Sequence, residues 1–77
     1  MDIKEFLTNF ANQFDDTDPS EITETTEFRE LEEWSSMIGL SLLNLAEKTY
    51  GVQLTFDELR SANTVQELFD VILRKQG

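Results

Sequence analysis

The sequence predicts an all-α fold: a small bundle of three main helices and one short helix, with a long loop between the first two main helices. Three observations favour this fold class. Apolar residues recur at the spacing of a helix face in three separate stretches. Residue pairs with capping-box spacing stand before the later stretches. No stretch alternates apolar and polar residues as a half-buried strand does. We expect residues 1–77 to form a single domain, because 77 residues support only one small core.

The first predicted helix begins near Asp2, which has capping-box spacing to Glu5. One face of this helix carries apolar residues at the i, i+3, i+4, i+7 positions: Ile3, Phe6, Leu7, Phe10, Ala11 and Phe14. A stripe of phenylalanines can line a ligand pocket. However, burial of such a face is what usually stabilises a short helix, so we interpret the stripe as core.

Residues 15–33 predict a long ordered loop, because Pro19 and the acids around it end the first helix. Three apolar anchors are expected to pack inward, with a short helical turn near the last two: Ile22, Phe28 and Leu31. Four acidic residues could bind a divalent cation: Asp15, Asp16, Asp18 and Glu21. They lack the alternating spacing and central glycine of an EF-hand, which favours a solvated turn. Glu32 and Glu33 are interpreted as surface charge. A loop this long requires a functional reason, and we expect it to deliver the serine that follows.

Three further helices are predicted after the loop. The second spans residues 36–50, and Gly51 suits the left-handed conformation that ends a helix. Val52 and Leu54 are expected to pack inward. Two capping boxes then start a short third helix and the last helix: Thr55 with Glu58, and Thr64 with Glu67. Phe56, Leu59 and Arg60 are predicted to form the short third helix, which ends by Ala62. The helical period then repeats in the last helix at Val65, Leu68, Phe69 and Ile72.

The second helix divides into two faces at about 100° per residue. One broad arc can be buried: Ile38, Gly39, Leu42, Leu43, Leu45, Ala46 and Tyr50. The other side is predicted to face solvent: Ser36, Ser41, Asn44, Glu47 and Lys48. Met37 and Leu40 break the division, because they lie on the polar side beside Ser36. Either Ser35 or Ser36 could simply be the N-cap. Alternatively, Ser35 is the cap and Ser36 carries an attached anionic group, which a helix N-terminus favours.

Residues 31–50, LEEWSSMIGLSLLNLAEKTY, resemble the helix that carries the prosthetic group in acyl carrier proteins. The family pattern there is Asp-Ser-Leu, and this chain has Ser35-Ser36-Met37. The resemblance covers nearly the whole chain, including the Gly-Val-x-Leu run at residues 51–54 and the Thr-Val-Gln-Glu-Leu run at residues 64–68. In the family, the Asp that this chain lacks assists the modifying transferase through a metal ion. Its replacement leaves the acceptor hydroxyl in place.

The resemblance implies that Ser36 bears 4′-phosphopantetheine, whose thiol carries acyl groups as thioesters. The implied partners are a phosphopantetheinyl transferase and acyl synthases, ligases and transferases with basic docking patches. The residues expected to meet them lie on the second helix: Met37, Leu40, Ser41, Asn44 and Glu47. Fatty-acid synthesis is the commonest family setting, although the missing Asp suggests a dedicated secondary pathway, and the carried acyl, aminoacyl or polyketide chain is left open. We expect a monomer.

Composition limits the function classes. The chain has no cysteine and no histidine, which removes thiolate nucleophiles, the usual general base near neutral pH and the commonest metal ligand. We therefore expect no enzyme and no metal site. A net charge of −10 disfavours nucleic acid and anionic membranes. We see no signal peptide and no membrane-spanning run, so the expected compartment is the cytoplasm. One alternative remains: an acidic helical module that docks through the second helix and is never modified.

Overall fold

A computed structural model of the protein describes residues 2–77. Its elements in chain order are α1 (Ile3–Ala11), a 3₁₀ turn (Pro19–Glu21), a second 3₁₀ turn (Phe28–Glu30), α2 (Ser36–Tyr50), α3 (Phe56–Ser61) and α4 (Val65–Gln76). Every regular element among these residues is helical. Helices α1, α2 and α4 pack against one another, and α3 packs against α2 and α4. The predicted bundle of three main helices and one short helix is thus confirmed, and the turn at Pro19–Glu21 is the element that the sequence did not predict.

Helix α1 begins as predicted, with the Asp2 carboxylate accepting a hydrogen bond from the backbone N–H of Lys4 at 3.1 Å. The second bond of a capping box, from the Asp2 N–H to the Glu5 carboxylate, is not made among residues 2–77. The helix ends at Ala11. Phe14 is therefore buried from the turn after the helix, where its N–H donates to the Ala11 carbonyl. The first turn of the chain after α1 thus continues the apolar face that the helix begins.

Helices α3 and α4 begin at the two predicted capping boxes. The Thr55 hydroxyl accepts from the Glu58 N–H at 3.1 Å, and the Glu58 carboxylate accepts from the Thr55 N–H at 2.9 Å. Thr64 and Glu67 make the same pair of bonds at the start of α4. Gly51 has φ of 67°, as expected of a left-handed helix terminator.

The core is continuous and rich in aromatic rings, which confirms the interpretation of the α1 stripe as core. Phe6, Phe10 and Phe28 are at most 1% exposed. The ring of Phe28 lies 5.6 Å from that of Phe10 and 5.4 Å from that of Trp34, centroid to centroid, both in edge-to-face geometry. This chain of rings connects α1, through the loop, to Trp34, two residues before α2. The core of the bundle therefore reaches the segment that begins α2.

Candidate functional site

The loop between α1 and α2 is held to the bundle by backbone bonds as well as by its anchors. Ile22 and Phe28 are buried as predicted, and Leu31 is partly buried. In addition, the N–H of Val65 donates to the Thr26 carbonyl and the N–H of Gln66 donates to the Glu24 carbonyl. The first-turn amides of α4, which have no partner within their own helix, thus find partners in the loop. The loop has a defined path to the start of α2.

Glu33 is a partly exposed charge, as predicted, and it also closes the base of this loop, which the sequence did not predict. Its carboxylate accepts hydrogen bonds from the N–H groups of Asp15 and Asp16 at 2.7 and 3.0 Å, and from the Thr17 hydroxyl at 2.6 Å. The bond from the Thr17 hydroxyl, with help from the backbone N–H groups, lowers the pKa of Glu33 below its ordinary value. Glu32, by contrast, is exposed. We call Glu33 and its three donor residues the Glu33 clasp.

Two of the acidic residues near the start of the loop, Asp18 and Glu21, form a turn. Asp18 caps the first 3₁₀ turn by accepting from the Ser20 N–H at 2.9 Å, and this backbone bond lowers the pKa of Asp18. Glu21 accepts in return from the Asp18 N–H. These bonds favour the solvated-turn interpretation. Within residues 2–77, no cluster of acidic side chains has the arrangement of a metal site.

The two serines at the start of α2 have different environments. Ser35 is the N-cap, with extended backbone, and its hydroxyl accepts from the Ile38 N–H at 3.4 Å. Ser36 is the first helical residue and is exposed. Its hydroxyl makes no hydrogen bond to any other side chain or backbone group within residues 2–77. Ser36 therefore presents a free hydroxyl at the positive end of a 15-residue helix.

The side chains around Ser36 form an exposed apolar surface. Met37 is 75% exposed and Leu40 is 55% exposed, as the helical wheel predicted. Phe56 at the start of α3, whose ring approaches α2 at Gly39, is 39% exposed. We call Met37, Leu40 and Phe56 the apolar surface. It lies beside the free hydroxyl of Ser36, where a purely structural helix would gain little from it.

Phe56 is the residue of this surface that the sequence did not assign to it. Gly39, one helical turn after Ser36, lets the ring of Phe56 approach α2: a Cβ at Gly39 would lie 3.2 Å from a Phe56 ring carbon and 3.3 Å from a Leu59 methyl. The signal in the sequence was an isolated glycine inside a helical pattern, which indicates a close approach by another element. It does not say which element approaches.

The other predicted contact residues of α2 lie along the same helix. Asn44 and Glu47 are exposed, whereas Ser41 is partly buried rather than fully solvent-facing. Asn44 and Glu47 line an open groove with Leu43 and residues 53–55 of the connection to α3. The polar contact residues thus continue from the apolar surface toward the far end of α2.

Comparison with known proteins identifies the class. The model of the phosphopantetheine attachment site family matches residues 5–72, nearly the whole chain. The chain therefore belongs to this family, whose members carry a phosphopantetheine group on a serine and act as carriers. Its fold is the small helical bundle of acyl carrier proteins. No curated protein and no solved structure matches the chain. None of the helices within residues 2–77 combines the length and the apolar character needed to cross a membrane.

Proposed function

We propose that residues 1–77 form one carrier domain in which Ser36 bears 4′-phosphopantetheine and carries acyl groups between the enzymes of a fatty-acid, polyketide or related secondary pathway. The observation that carries this proposal is the difference between the two serines. The hydroxyl of Ser35 accepts a bond from its own helix, whereas that of Ser36 is exposed and free to be modified.

The surroundings of Ser36 fit a phosphodiester. Helix N-termini favour anions, because unpaired N–H groups and the helix dipole point at them. The first turn of α2 contains no acidic residue, unlike the first turns of α1, α3 and α4. An anion at Ser36 therefore meets no carboxylate within its own turn. When bound, the group supplies a thiol on a flexible arm, which a chain without cysteine cannot supply itself.

The surface around Ser36 supports docking to enzymes. We propose that Met37 and Leu40 are the main anchors and that Ser41, Asn44 and Glu47 extend the contact along α2. The partners are a phosphopantetheinyl transferase and acyl-processing enzymes with basic docking patches, since the net charge of −10 steers such surfaces toward the domain. The protein acts in the cytoplasm as a monomer in this proposal.

The second candidate function is an unmodified interaction module. The observation that favours it is the exposed apolar surface, which by itself suits docking to a partner protein. The intact mass of the protein from its native host distinguishes the two functions. A carrier gains the mass of one phosphopantetheine unit, and an unmodified module gains nothing.

The attachment residue is tested with a phosphopantetheinyl transferase and coenzyme A. We expect the wild type and Ser35→Ala to gain one unit by intact mass spectrometry, and Ser36→Ala to gain none. Ser35→Ala is the matched control, since it removes the adjacent hydroxyl and costs about 1 kcal/mol of capping. Circular dichroism establishes that both variants fold. Labelling of Ser36→Ala together with loss of labelling in Ser35→Ala would refute the assignment.

A further inference from the structure

The helix that carries Ser36 is capped locally by one long hydrogen bond. The Ser35 hydroxyl lies 3.4 Å from the N–H that it caps, whereas the corresponding distances at the starts of α1, α3 and α4 are 3.1, 3.1 and 3.2 Å. Helices α3 and α4 also have the reciprocal carboxylate of a capping box, which α2 lacks. Residues before α2 can therefore add to the interactions that position its first turn.

The Glu33 clasp lies immediately before this turn. Glu33 precedes Ser35 by two residues, and its carboxylate binds three donors from residues 15–17 at the opposite end of the loop. Between Glu33 and Ser35, Trp34 donates its backbone N–H to the Leu31 carbonyl and packs its ring against Phe28. The chain entering α2 is thus fixed at consecutive residues, first by a carboxylate and then by an aromatic ring.

We propose that Glu33 is a positioning residue for the modification of Ser36: its carboxylate fixes the chain just before α2 to residues 15–17, supplements the single cap from Ser35, and so holds the first turn in the geometry that the transferase needs. This inference rests on the proposed attachment of phosphopantetheine to Ser36. Glu33 acts through the bend at residues 15–17 and makes no contact with the transferase. Its loss therefore lowers the rate of modification without unfolding the bundle.

The test is a double-mutant cycle on the clasp, read by transferase kinetics. Glu33→Gln keeps the side-chain shape but replaces one acceptor oxygen with an NH₂ group that faces N–H donors. Thr17→Val removes one donor from the other side of the clasp. Glu32→Gln is the matched control, because it makes the same charge change at the exposed neighbour. We expect Glu33→Gln to lower kcat for modification about 3- to 10-fold and to leave KM unchanged. This range corresponds to the net loss of about one hydrogen bond in the clasp.

The cycle separates positioning from direct contact. If Glu33 acts through the clasp, Thr17→Val also lowers kcat, and the double variant is less affected than the product of the two single effects. Glu32→Gln stays at the wild-type rate. Two results would overturn the proposal: equal rates for Glu33→Gln and Glu32→Gln, or a slow Glu33→Gln together with an unaffected Thr17→Val, which would mean that Glu33 touches the transferase.

If the wild type is not modified at all, the proposed function is refuted. Hydrogen exchange then still tests whether Glu33 positions the first turn of α2. The N–H of Gly39, which donates to the Ser35 carbonyl, reports on the first turn of α2. We expect it to exchange at least about threefold faster in Glu33→Gln than in Glu32→Gln, with the amides of Val71 and Ile72 in α4 unchanged. Equal exchange at Gly39 in the two variants would overturn the positioning role.

Discussion

The two segments that meet at Ser36 are fixed by different interactions. The loop before it, residues 12–35, is held by polar bonds in addition to its buried apolar anchors: the Glu33 clasp at its base and two backbone bonds to the first turn of α4. Helix α2 after it is held by apolar packing, with Leu42 and Ala46 at most 2% exposed and Gly39 against α3. The stability of the loop therefore depends in part on the ionisation of Glu33, whereas that of α2 depends on shape and apolar area.

A second contrast lies within α2 itself. One face of α2 packs into the core, whereas the face near Ser36 exposes Met37 and Leu40. The first face contributes to folding and the second does not. Substitutions on the two faces should consequently affect different measurements, and this separation allows function to be tested without loss of the fold.

The largest effect is expected from the packed face. Leu42→Ala should lower the free energy of unfolding by about 2–5 kcal/mol, because it removes a buried side chain and leaves a cavity. Leu40→Ala is the matched control on the same helix and should change it by no more than about 0.5 kcal/mol. Urea unfolding followed by circular dichroism measures both. Similar losses in the two variants would mean that Leu40 is also part of the core.

The sequence was sufficient for what local patterns determine. Helical periodicity, the two capping boxes and Gly51 predicted the bundle, the bounds of α2 and the exposure of Met37 and Leu40. These features depend on residues within one or two helical turns of each other, so spacing alone reveals them.

What the sequence could not predict depends on contacts between distant residues. Glu33 binds donors 16 to 18 residues away, and nothing in its neighbours distinguishes it from exposed Glu32. The pairing of the loop with the first turn of α4 likewise joins segments about 40 residues apart, as Thr26 and Val65 show. Phe56 reaches the apolar surface only because the bundle brings α3 against Gly39. Tertiary packing, rather than local propensity, decides these features.

An intermediate effect is expected on the exposed face of α2. Met37→Ala or Leu40→Ala should weaken binding of the transferase by about 1–3 kcal/mol, since each removes an anchor that binding desolvates. Glu47→Gln should cost less than about 1 kcal/mol, because an exposed charge at the rim of an interface is solvated and screened. Kinetic binding measurements on immobilised transferase, with free energies from kon and koff, compare the three variants.

Salt dependence tests the same contact independently. The net charge of −10 should steer the encounter at long range, so raising the salt concentration should slow association more than it speeds dissociation. Leu40→Ala should keep this salt dependence while dissociating faster. If Glu47→Gln weakens binding more than both apolar truncations combined, the exposed face docks by charge and the contrast between the two faces of α2 does not extend to docking.

The smallest effect is expected from acid, which should loosen the loop before it disturbs α2. The pKa of Glu33 is lowered in the folded protein, chiefly by the Thr17 hydroxyl. Its contribution is therefore fully present above the unfolded-state pKa, about 4.5, and is lost as pH falls through the folded-state value. The same pH dependence applies at the starts of α3 and α4. Lys75 lowers the pKa of Glu58, and the Thr64 N–H lowers the pKa of Glu67. The apolar contacts of α2 do not titrate.

Trp34 reports on the loop, because it is the only tryptophan, follows Glu33 and packs on Phe28. In the wild type, its fluorescence should change as pH falls below about 4.5, before the helical signal in circular dichroism declines. Glu33→Gln should show a smaller fluorescence change across this window, since part of the contact is already lost at neutral pH. Glu32→Gln removes the same charge without removing a clasp bond. Its Trp34 fluorescence should therefore change with pH as that of the wild type does. Identical titrations of the two variants would mean that the loop is held by its apolar anchors, in the same way as α2.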